Sequence, residues 1–177
     1  MEEKALVISK IKRLSWKLRL FTLTILISTW IIFALVIKYN GISTLLTVPE
    51  NITVDLTTLS ASSLALVYLL AAMKPAAFIP VLCFLYRLFV LCHEGRVFTQ
   101  EIIKIIRRIG FSLMAIDFIF ILQSALTGPV LGRLGAIEPY FSVDFAISYL
   151  IIGLFVELIS RLMDLARQLQ DYQDLIV

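Results

Sequence analysis

Residues that do chemistry are scarce in this chain. Histidine occurs once, at His93, and cysteine twice, at Cys83 and Cys92. A zinc site draws three or four ligands from His, Cys and carboxylates, so one imidazole excludes a histidine-rich centre. The cysteines lie nine residues apart on one predicted helix. That spacing turns them to opposite faces, where they neither share a metal nor bridge. With a single imidazole, a Ser-His-Asp arrangement has little to build on. No catalytic residue, metal or cofactor is expected, and the chain reads as non-enzymatic.

Charge is scarce too. Only 16% of the 177 residues are charged while 60% are hydrophobic, and the mean hydropathy is +0.95. Water would not dissolve such a composition. The charges gather in patches, and the stretches between them are long enough to cross a hydrocarbon core. This is the pattern of an all-α, polytopic membrane protein.

Four spans of about 20 residues, the length that bridges a core of roughly 30 Å, follow from the apolar runs. They cover residues 20–37, 67–88, 109–128 and 145–163 of one transmembrane domain, 1–177. The first reads as an uncleaved anchor, because no small-residue cleavage site precedes Lys38. Between Leu56 and Tyr86 the sole charge is Lys74. That run is too long for one span and has no loop-forming stretch at Lys74-Pro75 for two.

Charge bias decides between the two readings. With four spans and both termini in the cytoplasm, thirteen Lys and Arg lie inside and three outside; five spans place eight on each side. The positive-inside rule favours four, N-in and C-in. LTTLSASS then sits at the outer interface and Lys74 snorkels outward. Pro75 and Pro80 remove two backbone donors, so the second span is expected to bend near its outer half.

CHEGRVFTQE, residues 92–101, becomes a short cytoplasmic corner. Gly95 suits the left-handed conformation that ends a helix, and Thr99 is expected to accept from backbone N–H groups at the next helix start. Glu101 complements the dipole of that helix. His93 and Glu94 are read as parts of this corner, not as an acid/base pair.

The frame LYRLFVLCHEGRVFTQEIIKIIRRIGFSL contains Gly95, Arg96, Phe98 and Thr99 at its corner and Arg107-Arg108-Ile109-Gly110 after it. With FSVDFAISYLIIG and the tail RLMDLARQLQDYQDLIV, it resembles the bacterial membrane-protein family catalogued as domain of unknown function 2975. The resemblance runs from about Leu56 to Val177. It implies four transmembrane helices in a bacterial cytoplasmic (inner) membrane. Because members often accompany small helix-turn-helix regulators, it also implies regulation more than catalysis; it carries over no catalytic residue.

Two carboxylates fall inside spans. Asp117 lies about 13 Å along the helix from Arg108, near mid-membrane, and Glu157 lies nearer the inner interface. Such groups are functional candidates by default, with Arg87 or each other as the expected partners. One reading is an interhelical lock that involves Gln123 or Ser124. The other is a small proton-linked carrier, although no paired broken-helix repeat is visible.

The cytoplasmic ends carry more information. The first 19 residues hold six basic and two acidic side chains. Lys10, Lys12, Arg13 and Lys17 interleave with Leu6, Ile11, Leu14 and Leu18, which suits an amphipathic helix against anionic lipid. Lys104, Arg107 and Arg108 share one helical face. These basic residues are too few and lack the aromatic interleaving for nucleic acid, so lipid phosphate is the expected anion.

In the C-terminal extension, Leu158, Leu162, Leu165, Leu169, Tyr172 and Ile176 repeat at steps of 4 and 3. That is a coiled-coil seam, open to a protein partner, to self-association or to its own bundle.

Overall fold

In the computed structural model the described residues are 2–39, 45–46, 48, 59–95, 99–138, 140–145 and 147–176, with side chains described from Lys12 to Gln173 within them. Five α-helices are present and, among the described residues, no strand: α1 (Glu2–Lys38), α2 (Ala61–Ala77), α3 (Ile79–His93), α4 (Gln100–Arg133) and α5 (Ser148–Ile176). Three segments, Lys12–Lys38, Ala61–His93 and Gln100–Arg133, are long and apolar enough to cross a membrane. The remaining helix, α5, carries Glu157, Arg161 and Asp164 within its first 17 residues, which breaks its apolar run.

Helices α2 and α3 are one interrupted rod. Pro75 and Pro80 supply no backbone N–H, so the carbonyls of Ala71 and Ala76 lose their usual donors at neighbouring turns. The helix gives way at Phe78, whose N–H turns back to the Pro75 carbonyl at 3.3 Å. Ser60 starts the rod, accepting the Ser63 N–H on its hydroxyl at 3.3 Å. The helix therefore begins six residues before the expected span at Val67.

α1 runs antiparallel to this rod. Its small polar residues Ser15 and Thr22 are buried, while Phe21, Ile27, Ile31 and Ile32 face outward. The hydroxyls of Thr22, Thr24, Ser28 and Thr29 donate to carbonyls of the preceding turn at 2.8 to 3.0 Å. This satisfies them inside an otherwise apolar surface. Arg19 stacks over the Tyr86 ring at 4.9 Å, and the Lys12 carbonyl lies 3.1 Å from His93 Nδ1. Those two contacts set the register of the pair.

α4 is the central element. It ends in a Schellman motif: Gly135, at φ +72°, donates to the Gly132 carbonyl, and Ala136 donates to that of Leu131. Left-handed backbone at that position suits only a residue without Cβ. Two apolar clusters pack around α4. One contains Leu46, Val67, Leu70, Ala71, Leu131 and Ala136. The other joins Ala77, Val81 and Leu91 to Ile102, Ile105, Ile109 and Ile116.

α5 returns antiparallel along α4 at backbone contact distance. A Cβ on Gly153 would lie 2.7 Å from the Gly110 carbonyl oxygen and 2.7 Å from Met114 Cγ; one on Gly110 would lie 3.0 Å from the Gly153 oxygen. Only hydrogen at both positions permits this approach. Ser160 donates to the Ile103 carbonyl at 3.2 Å, three residues inside the first residue of α4. Beyond that level α5 continues, projecting by about 20 Å at 1.5 Å per residue.

Candidate functional site

A layer of buried polar side chains lies on one face of α4, between the two apolar clusters: Asp117, Gln123, Ser124 and Thr127. Each reaches a backbone group. Thr127 donates to the Gln123 carbonyl at 2.8 Å. Gln123 Nε2 donates to the carbonyls of Leu45 at 3.1 Å and Leu70 at 2.9 Å, tying α4 to α2 and to the segment after α1. Ser124 donates to the Ser142 carbonyl and accepts the Asp144 N–H, both at 3.1 Å.

Asp117 is 2% exposed, and its Oδ2 accepts the backbone N–H of Leu150 at 2.7 Å. Leu150 is the third residue of α5. The first N–H groups of a helix have no partner within it and carry the positive end of its dipole. Asp117 is therefore an N-cap supplied by a neighbouring helix. The partners expected for it from sequence, Arg87 or Glu157, are corrected: its partner is a main-chain donor. Oδ1 of the same carboxylate is buried with no hydrogen-bond partner.

This cap fixes the starting level of α5. Asp117 is the eighteenth of 34 residues in α4, so α5 starts alongside the midpoint of its neighbour. The segment before it runs back along the second half of α4. Ser142 and Asp144 meet Ser124, and Tyr140 lies so close to Gly128 that a Cβ there would collide with the Tyr140 carbonyl. Phe145 and Ile147, at what the sequence reads as the start of the fourth span, are non-helical.

Arg87 pairs with Glu101 at 3.0 Å, both half-exposed, and so joins α3 to the first turn of α4. Glu157, 14% exposed at its side chain, lies 3.7 Å from Arg107 and 3.1 Å from Arg161. Arg108 sits over the Phe84 ring at 5.9 Å. Of the basic face Lys104, Arg107 and Arg108, one member is thus committed to Glu157 and one to an aromatic ring, while Lys104 is exposed. Lys12, Arg13 and Lys17 are exposed at the same end of the bundle; Lys10 lies outside the described side chains.

At the corner, Gly95 has φ +84° and donates to the Cys92 carbonyl at 3.1 Å. Thr99 occupies the N-cap position of α4 with extended backbone, yet its hydroxyl makes no capping bond and is buried without a partner. The capping role expected of it is corrected to a backbone one. Arg96 and Phe98 lie outside the described residues.

Sequence reading did not anticipate the aromatic cluster beside the break at Phe78. Phe78, Phe120 and Tyr149 meet edge to face at centroid distances of 5.6 to 6.1 Å. Lys74 Nζ lies 5.7 Å from the Phe120 centroid. With Ile32 and Phe33 of α1 these side chains line a lateral, mainly apolar pocket of about 400 Å³. The tail seam residues Leu162, Leu165, Leu169 and Tyr172 are all exposed, turned away from the bundle.

Described residues that form helices and no strand, with three helical segments long and apolar enough to cross a membrane and main-chain hydrogen bonds from a polar face pegging them together, have the build of helical membrane proteins. The family model described as protein of unknown function (DUF2975) matches residues 14–177, and the chain belongs to that family. The match reaches into α1, further than the corner and tail that carry the resemblance in the sequence. No curated protein and no solved structure matches the chain.

Proposed function

We propose that this is a non-enzymatic, multi-pass protein of a bacterial cytoplasmic membrane, with both termini in the cytoplasm, that acts in regulation by binding a protein partner at its cytoplasmic face. The observation that carries this reading is the gathering of exposed charge at one end of the bundle. Lys12, Arg13, Lys17, Lys104 and Arg108 are exposed there, at the end where α1 and α4 begin and α5 projects. The positive-inside rule sets that end in the cytoplasm. Anionic lipid headgroups are the first ligands such a surface meets.

On this reading the fourth crossing is a composite. α5 supplies its inner half, and the non-helical residues 140–145 supply the outer half against α4. Irregular backbone is tolerated at membrane depth where protein covers it, and Ser124 and Gly128 of α4 provide that cover.

The alternative, a proton-linked carrier using Asp117 and Glu157, draws support from the unpartnered Asp117 Oδ1. Against it stand the cap on α5 and the two arginines on Glu157, each of which gives the carboxylate a structural task. The test of the favoured reading is proximity labelling from a ligase fused after Val177 in native membranes. A protein other than this chain should be enriched, and the enrichment should fall several-fold when Lys104 and Arg108 become Ser. Enrichment of nothing but the chain itself would sink the reading.

A further inference from the structure

We propose that the projecting part of α5 pairs in parallel with the same helix of a second copy of this chain. Helix α5 has two faces. Gly153 and Ser160 are buried against α4, and Val156, Glu157, Met163, Asp164 and Arg167 are half-buried beside them. On the opposite side stand Ile151, Phe155, Leu158, Leu162, Leu165, Leu169 and Tyr172, exposed by 47, 64, 52, 57, 55, 58 and 69%. Their spacings alternate strictly between four and three.

Set as a heptad repeat, Phe155, Leu162 and Leu169 take position a, and Ile151, Leu158, Leu165 and Tyr172 take position d. Gly153, Ser160 and Arg167 then take position f, diametrically opposite. The helix thus spends its f side on α4 and leaves a full a/d seam uncovered over three heptads. Three heptads is where such a pattern begins to specify a coiled coil, and the part past Ser160 supplies the last four of these layers, Leu162, Leu165, Leu169 and Tyr172.

The lipid-level part of the seam discriminates little, since hydrocarbon also covers Ile151 and Phe155. The part past Ser160 is different. There Arg161, Asp164, Arg167 and Asp171 mark an aqueous setting on the membrane reading above, on which this inference rests. Leu165, Leu169 and Tyr172 nonetheless form a continuous exposed apolar stripe. An apolar stripe held in water is stabilised by burial against another.

The flanks of the stripe select the occupant. Heterotypic coiled coils choose their partners through charges at positions e and g. Here e holds Ala166 and Gln173, and g holds Arg161 and Gln168. In a parallel pair Arg161 of one copy meets Ala166 of the other, and Gln168 meets Gln173, so no like charges face each other. Asp164 and Asp171 lie at position c, off the seam. A flank in which Arg161 faces Ala166 and Gln168 faces Gln173, around leucine layers, is complementary to itself. The bilayer holds both copies in one orientation, which makes the pair parallel, and confinement to the membrane plane raises their effective concentration.

The test uses the full chain in native membranes with Cys83 and Cys92 replaced by Ser. Single cysteines are placed on the seam (L165C, L169C) and off it (Q170C, D171C), followed by mild oxidation. The seam cysteines should form disulfide-linked dimers at least about tenfold faster than the other two, because identical d or a positions of a parallel pair fall within disulfide reach. Adding L165D to the L169C chain should abolish the product. Equal rates at all four positions would mean random collision, and no dimer from chains that sediment with the membranes would mean no pairing; either overturns the proposal. A photocrosslinker in place of Leu165 that yields an adduct of any mass other than two chains overturns it in favour of a different partner. Chains that fail to sediment with membranes at all overturn the membrane reading, and the parallel constraint falls with it.

Discussion

Asp117 in the middle of α4 and Leu150 at the start of α5 share a 2.7 Å hydrogen bond in which a buried carboxylate accepts a main-chain N–H of another helix. Phe120, three residues after Asp117, and Tyr149, next to Leu150, meet Phe78 and close the same level with aromatic rings. The level at which α5 begins is therefore set by side chains, not by the length of the connection before it.

Removing the acceptor should expose that dependence. Asp117→Ala leaves a part-buried helix-start N–H without its acceptor and should destabilise the protein by about 1–2 kcal/mol. Asp117→Asn keeps an acceptor oxygen for that N–H and should cost less, about 0.5–1 kcal/mol. Thermal unfolding in detergent measures both. A proton-linked carrier would instead lose its transport in proteoliposomes completely with Asp117→Asn, whatever its stability.

The Gly110–Gly153 crossing admits no side chain. Gly153→Ala would place its Cβ 2.7 Å from a backbone oxygen that cannot move aside, so overpacking of about 1–3 kcal/mol is expected. Gly95→Ala meets no neighbouring atom and suffers only from φ +84°, a smaller effect of roughly 1 kcal/mol. Comparing the two variants' melting temperatures separates crowding from backbone strain.

Much of this was legible in the residues, and the parts that were not have a common cause. Asp117 stands out in an apolar run, which reads as a buried carboxylate near the helix centre. Its partner does not stand out, because Leu150 offers a main-chain N–H and nothing in a leucine announces that. Gln123 and Ser124 were visible as polar neighbours on α4, but their partners are also carbonyls and an N–H of other segments. The 4,3 spacing from Leu158 onward marks a seam, whereas its outward direction depends on which face Gly153 presents to Gly110. The breaks at Pro75 and Pro80 were legible because proline removes a donor wherever it stands.

Glu157 sits between Arg107 and Arg161, whose side chains are 43% and 72% exposed. Water screens such pairs, so a double-mutant cycle of Arg107→Ala with Glu157→Ala should give a coupling of about 1 kcal/mol or less. A coupling several times larger would show that the pair is drier in the membrane-bound protein than its exposure implies.

Topology has its own measurement. Reporters active only outside the cytoplasm should report activity when fused after Asn51 or Gly135 and none when fused after Arg96. Activity at Arg96 would reverse the orientation and move Lys104 and Arg108 to the outer surface. Activity from a fusion after Val177 would remove α5 from the count of crossings.

The mid-level start of α5 bears on how the chain is made. In the non-helical stretch before it the Ser142 carbonyl and the Asp144 N–H are met by Ser124 of α4, and its first turn is met by Asp117. If α5 completes a fourth crossing as proposed, neither piece enters hydrocarbon singly without bare peptide dipoles. On the proposed four-crossing topology, insertion of this last portion therefore awaits its predecessor, and the two leave the ribosome's exit channel in sequence but enter the bilayer as one hairpin.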